Sequence, residues 1–147
     1  MLPFMPKAAA LDTHFLNLDT HFLNVDLDIY SKRDLRPFVD SLGRKVIDLF
    51  VGRERGKFSA HLEVAKVPTT ADSTIRAFCR LINDQPEPER KIWDEAIVRS
   101  FSIGVQAEIG SQVRDFQVKQ STVKAVSDVG AEIVLTVYAP AGKRRRK

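Results

Sequence analysis

Asp26 and Asp28 lie two residues apart in one segment, and His61 and Glu63 lie two apart in another. These are the side-chain types that move protons or hold cations. A spacing of two puts both members of a pair on one face of an extended strand. If the two strands pair, four such side chains share one sheet face. The spacing is generic, however. No HExxH and no cysteine pair accompanies it, and alternating charges are what a solvated sheet face carries. No catalytic residue, metal ligand or cofactor site is assigned, and the chain is expected not to be an enzyme.

Two other features invite a chemical reading and fail it. Gly52–Lys57, GRERGK, superficially resembles a phosphate-binding loop. That loop needs four residues between its glycines and a Ser or Thr after the lysine; here there are three, followed by Phe58. The segment lies between two strand patterns, so no helix N-terminus adds its dipole. It reads as a charged hairpin turn. The single cysteine, Cys79, follows Ile75 at i+4 on an apolar helical face and is expected to be a small core residue rather than a nucleophile. Trp93, beside Ile92, is likewise expected in the core.

The other two histidines belong to a repeat. LDTHFLN occurs at Leu11–Asn17 and again at Leu18–Asn24, with a degenerate third register, VDLDIYS, at Val25–Ser31. An identical tandem copy points to a short in-frame duplication of the coding DNA. His14 and His21 are then copies of one residue, and no site should be built on the pair. Only one copy fills a given structural slot. Residues 1–19 are therefore expected to be a dispensable segment, 20–140 a single domain, and 141–147 a disordered basic tail.

The 147 residues carry 44% hydrophobic and 29% charged side chains, ordinary values for one globular domain that needs no disulfide or metal to hold it. The net charge of +4 is misleading. Of 23 Lys and Arg, five form the run Lys143, Arg144, Arg145, Arg146, Lys147; the other 18 face 19 Asp and Glu, a body of net charge −1. The tail is a candidate for weak, sequence-blind nucleic-acid contact, with a log–log salt slope of about −4.5 on duplex DNA if all five charges engage. Membrane attachment would need a second signal, and no lipidation motif is present. With no bilayer-spanning run, no signal-peptide core in Met1–Leu11 and no possible intrachain disulfide, a cytoplasmic location is expected.

The elements that must position the acidic pairs follow from periodicity. Leu23, Val25, Leu27 and Ile29 alternate with polar residues as in a half-buried strand. Leu35, Phe38, Val39 and Leu42 share a helical face closed by Gly43. Val46–Val51 reads as a central strand. It forms a hairpin with the alternating Phe58, Ala60, Leu62 and Val64. Two helices follow, one with Ile75, Phe78, Cys79 and Ile82 inward, the next with Ile92, Trp93, Ala96 and Ile97. Phe101, Ile103, Val105, Ala107 and Ile109 form a strand; Val123, Val126 and Val129 line a helix; Ile133–Tyr138 is a final strand rich in β-branched residues.

The order β-α-β-β-α-α-β-α-β is that of an α+β protein. Its first part matches a ferredoxin-like βαββαβ core, a mostly antiparallel sheet with helices on one face, extended by a further helix and strand. In that layout the uncovered face carries Asp26, Asp28, Tyr30, His61, Glu63, Gln106, Glu108, Thr136 and Tyr138. It is acidic and lacks the basic and aromatic signature of an RNA-reading sheet.

NVDLDIYS, HLEVA and VKAVSDVGAEIVLTVYAP resemble segments of a group of small bacterial proteins, a domain of unknown function, over about Thr20–Pro140. The resemblance implies an α+β fold and a bacterial source, and carries over no site residue. The expected function is a protein-binding or self-associating module using the open sheet face, with Tyr30, His61, Glu63, Gln106 and Tyr138 as contact residues. The alternative is nucleic-acid association through the tail.

Overall fold

The computed structural model describes residues 19–66 and 70–140. The first LDTHFLN copy, His14 and the basic run Lys143–Lys147 lie outside the described residues.

Strand β1 (His21–Ser31) begins within the second LDTHFLN copy. It is followed by α1 (Arg36–Leu42), a 3-10 turn (Gly43–Lys45), β2 (Val46–Glu54), β3 (Lys57–Val64), α2 (Ala71–Asn83), α3 (Glu87–Asp94), β4 (Val98–Gln106), α4 (Gln120–Asp128) and β5 (Glu132–Tyr138). The protein is α+β. Among the described residues five strands form one mixed, mostly antiparallel sheet in the order β2-β3-β1-β4-β5. Strand β1 is antiparallel to both β3 and β4, β2 is antiparallel to β3, and β5 is parallel to β4. Among the described residues, no helix is long and apolar enough to cross a membrane.

Helices α1 to α4 pack on one face of the sheet. Val25, Leu27 and Ile29 of β1, Ala60 and Leu62 of β3, and Phe101, Ile103 and Val105 of β4 are buried there. Against them lie Phe38 and Leu42 of α1, Ile75, Phe78, Cys79 and Ile82 of α2, and Trp93 of α3. These are the residues whose period-two and period-3.6 spacing marked them as inward. Trp93 stacks on Phe38 at 5.6 Å between ring centroids, and its indole N–H donates to the Val129 carbonyl at 2.8 Å. That bond satisfies the one polar atom of a fully buried ring. Burial pushes the Cys79 thiol up to about 11, so it is not a thiolate at neutral pH.

The hairpin turns on Arg55 and Gly56, both at positive φ (51° and 80°). Two such residues twist the chain in the sense the flanking strands require. The GRERGK segment is therefore a tight turn with strands on both sides.

Several expected placements are corrected. Val46–Val51 is not in a central strand: β2 is an edge strand, with Ile47, Leu49 and Phe50 exposed. Its continuous apolar run arises because a bulge at Leu49 breaks the alternation. A bulge at Leu23 likewise turns Phe22 toward the core and leaves Leu23 exposed. Strand β4 ends at Gln106, so Ala107 is only partly buried and Ile109 and Glu108 lie in the connection beyond it. Helix α3 ends at Asp94, which leaves Ile97 exposed, and Val123 of α4 is exposed where Val126 and Val129 are buried.

Candidate functional site

The other face of the sheet is covered by no helix among the described residues. Side chains of β1 that point away from the core are Asp26, Asp28 and Tyr30, because Val25, Leu27 and Ile29 point into it. The register sets Asp28 directly across from His61 and Tyr30 across from Ser59. On the other side of β1, Asp26 faces Ser102 and Asp28 faces Ser100.

These residues form a hydrogen-bonded line across four strands. Ser102 Oγ of β4 donates to Asp28 Oδ2 at 2.9 Å. Asp28 Oδ1 contacts His61 Nδ1 at 2.8 Å, and His61 Nε2 contacts Glu54 Oε1 of β2 at 3.1 Å. Ser59 Oγ donates to the same Glu54 oxygen at 2.7 Å. Both ring nitrogens face carboxylate oxygens, which only accept, so the arrangement selects the doubly protonated imidazolium. Burial works against that charge, but the hydrogen bonds and charges of Asp28 and Glu54 outweigh it and raise the His61 pKa. Hydrogen bonds from Ser59 and His61 hold Glu54 below the usual carboxylate range. Tyr30 meets the His61 ring edge-on at 5.7 Å between centroids, and Phe50 lies 6.0 Å from it on the β2 side.

Asp26 lies next along β1. Its pKa is pushed up to about 6, first by burial, then by the charges of Glu63 and Asp28 and a hydrogen bond with the Glu63 carboxyl. Two carboxyl groups in contact cannot both ionise cheaply, so the pair retains a proton to higher pH. Beyond it lies a basin of about 320 Å³ bounded by Asp26, Glu63, Gln106, Thr136 and Tyr138. Gly104 keeps its floor open: a Cβ there would stand 3.5 Å from the Tyr138 ring.

The five expected contact residues all reach this face, but they do not form one cluster. Tyr30 and His61 belong to the central line, Glu63 to the carboxyl pair, and Gln106 and Tyr138 to the far wall of the basin. The Gln106 amide is occupied internally, donating to the carbonyls of Ala107 at 3.0 Å and Ala139 at 3.1 Å. Glu108, expected on the face, is off the sheet; its backbone N–H donates to Thr20 Oγ1. The sequence reading missed Glu54, Ser59, Ser102 and Phe50. In sequence Glu54 reads as part of the charged turn, and the Leu49 bulge hides the run of Phe50, Gly52 and Glu54 along one face.

What this arrangement does chemically is limited by how completely it is satisfied. His61 has no free lone pair to act as a base while both nitrogens are held. Among the described residues, no three His, Cys, Asp or Glu side chains are grouped to hold a metal ion. A larger hollow, about 610 Å³, lies elsewhere, against the start of α2 and the connection after β4. Its buried acid, Asp72, accepts the Lys119 backbone N–H at 2.8 Å and pairs with Arg76 at 3.4 Å. That carboxylate thus anchors the 107–119 connection. Comparison with known proteins adds no assignment: no family model, no curated protein and no solved structure matches this chain.

Proposed function

We propose that this chain is a non-catalytic binding module whose open sheet face receives a protein partner carrying basic side chains. One observation carries the reading. The centre of an uncovered sheet face holds four carboxyl groups, Asp26, Asp28, Glu54 and Glu63, around a single imidazole. It is flanked by exposed apolar side chains at both rims, Ile47 and Phe50 on β2 and Val134 and Tyr138 on β5. A charged middle between apolar rims suits a chain segment with Lys or Arg set among large apolar residues. Two copies of this face placed together would oppose like charges, which favours a different protein over a face-to-face dimer.

The same reading takes the first four strands as a ferredoxin-like core. Support comes from the order β2-β3-β1-β4 and from β1 running antiparallel to both its neighbours, with α4 and β5 as the extension. A cytoplasmic setting is consistent with the lone, buried Cys79.

The test is affinity capture by the immobilised full chain from lysate with and without nuclease, run beside a His61→Ala/Glu63→Gln variant of verified fold. A stoichiometric protein held by the unaltered chain and lost from the variant supports the reading. Equal retention by both, or recovery of nucleic acid alone without nuclease, overturns it.

A further inference from the structure

The second surface left uncovered among the described residues is the β5 edge, which adjoins the open face. Among the described residues strand β5 is bonded only to β4, so none of them pairs with its outer row of backbone N–H and C=O groups. Its register sets Ile133, Leu135 and Val137 beside Phe101, Ile103 and Val105, on the helix-bearing side. The β4 residues are buried at 0%, 5% and 5% exposure, while their β5 neighbours are exposed at 37%, 61% and 57%. Among the described residues the helix layer thus leaves these three aliphatic side chains exposed at the sheet's edge.

The opposite edge shows how an edge is normally protected. Strand β2 carries a bulge at Leu49, and Arg36 from α1 reaches over it to pair with Asp48 and to donate to the Val51 carbonyl. Charges, bulges and covering side chains are the usual means of preventing strand addition. Strand β5, EIVLTVY, has one charge at its first residue, no proline, and a continuous register with β4.

We propose that β5 is a homodimer interface, in which two copies pair edge to edge, antiparallel, about a two-fold axis at Leu135. A two-fold contact must be self-complementary, and this strand is. With Leu135 opposite its own copy, Ile133 meets Val137 and Val137 meets Ile133, so the helix-side face of the joint is six aliphatic side chains. On the other face Val134 meets Thr136 and Glu132 meets the Tyr138 hydroxyphenyl group. All seven residues are paired, and any shift of two residues leaves apolar positions unmatched. The exposed apolar surface of Ile133, Val134, Leu135, Val137 and Tyr138 is on the order of 500 Å² per copy, so a pairing that covers most of it approaches the roughly 1,000 Å² of a small specific interface. Pairing at the edge shares the rim residues Val134 and Tyr138 with the open-face reading but leaves its centre, Asp28, His61 and Glu63, uncovered.

Sedimentation velocity of the full chain should give a dimer at micromolar concentration, twice 16.6 kDa. Leu135→Lys should weaken it at least 100-fold, with an unchanged circular dichroism spectrum. Because that variant could fail to fold, Leu135→Cys supplies a second reading. In the proposed register the two introduced thiols face each other, so mild oxidation should give a covalent dimer, whereas Ile47→Cys at the other edge should not. A monomer at 100 µM overturns the proposal, as does a dimer that survives Leu135→Lys or crosslinks through Ile47→Cys instead. Loss of the open-face partner by His61→Ala/Glu63→Gln, with the dimer intact, separates the two readings.

Discussion

Asp26 should be a liability at neutral pH, and Asp26→Asn should stabilise the protein. The carboxyl has a folded pKa of about 6 against an ordinary 3.8. A raised acid pKa means that the folded state prefers the protonated form. Below about pH 3.8 the acid is protonated in both states and there is no penalty. Between 3.8 and about 6 folding takes up a proton, and stability falls as pH rises. Above about 6 the loss is complete. A shift of about two units corresponds to at most ~3 kcal/mol, but Asp26 is only half-buried, and water screens its neighbours' charges. About 1–1.5 kcal/mol is the expected effect after that discount. Asn keeps the shape and gives Glu63 a neutral donor in place of a shared proton. Urea unfolding of the unaltered chain and Asp26→Asn should therefore coincide near pH 3.5, then separate to about 1–1.5 kcal/mol by pH 7.5. A gain of equal size at both pH values would refute the titration argument, and a loss at pH 7.5 would refute the carboxyl pair itself.

Three further outcomes follow from particular contacts. The His61 ring, followed by NMR titration, should have a pKa above 6.5, and Glu54→Gln should lower it; a value at or below 6.5 contradicts the two-carboxylate contact. Its stabilising contribution is present below pH 6.5 and is lost as pH rises through the raised value. Arg55→Gly should raise stability by about 0.5–1 kcal/mol in chemical denaturation, because φ of 51° costs a residue with a Cβ and costs glycine little. Deleting Leu18–Asn24 brings the identical copy Leu11–Asn17 against Val25. The melting temperature should be unchanged, and a fall of more than a few degrees would show that the two copies are not interchangeable.

The sequence by itself determined the order of the elements and most of the core, though not at Leu23, Ile97, Ile109 or Val123, which share the inward spacing and are exposed. Val25, Leu27 and Ile29 or Ile75, Phe78 and Cys79 can bury together in only one local geometry, since apolar spacing of two or of three and four leaves no other common face. It also determined that Asp26, Asp28, His61 and Glu63 point away from that core. Only the tertiary structure decided where each strand lies in the sheet. Position depends on which edges meet through space, and the apolar run Val46–Val51 reads the same at a centre or at a bulged rim. Bulges at Leu23 and Leu49 shift the alternation by one residue, and no composition signal marks them. The Ser102–Asp28–His61–Glu54–Ser59 line draws on four strands, so its two-carboxylate hold on His61 arises from register alone. The uncovered β5 edge was equally hidden, because Ile133, Leu135 and Val137 have core chemistry, and only the extent of the helix layer leaves them at the surface.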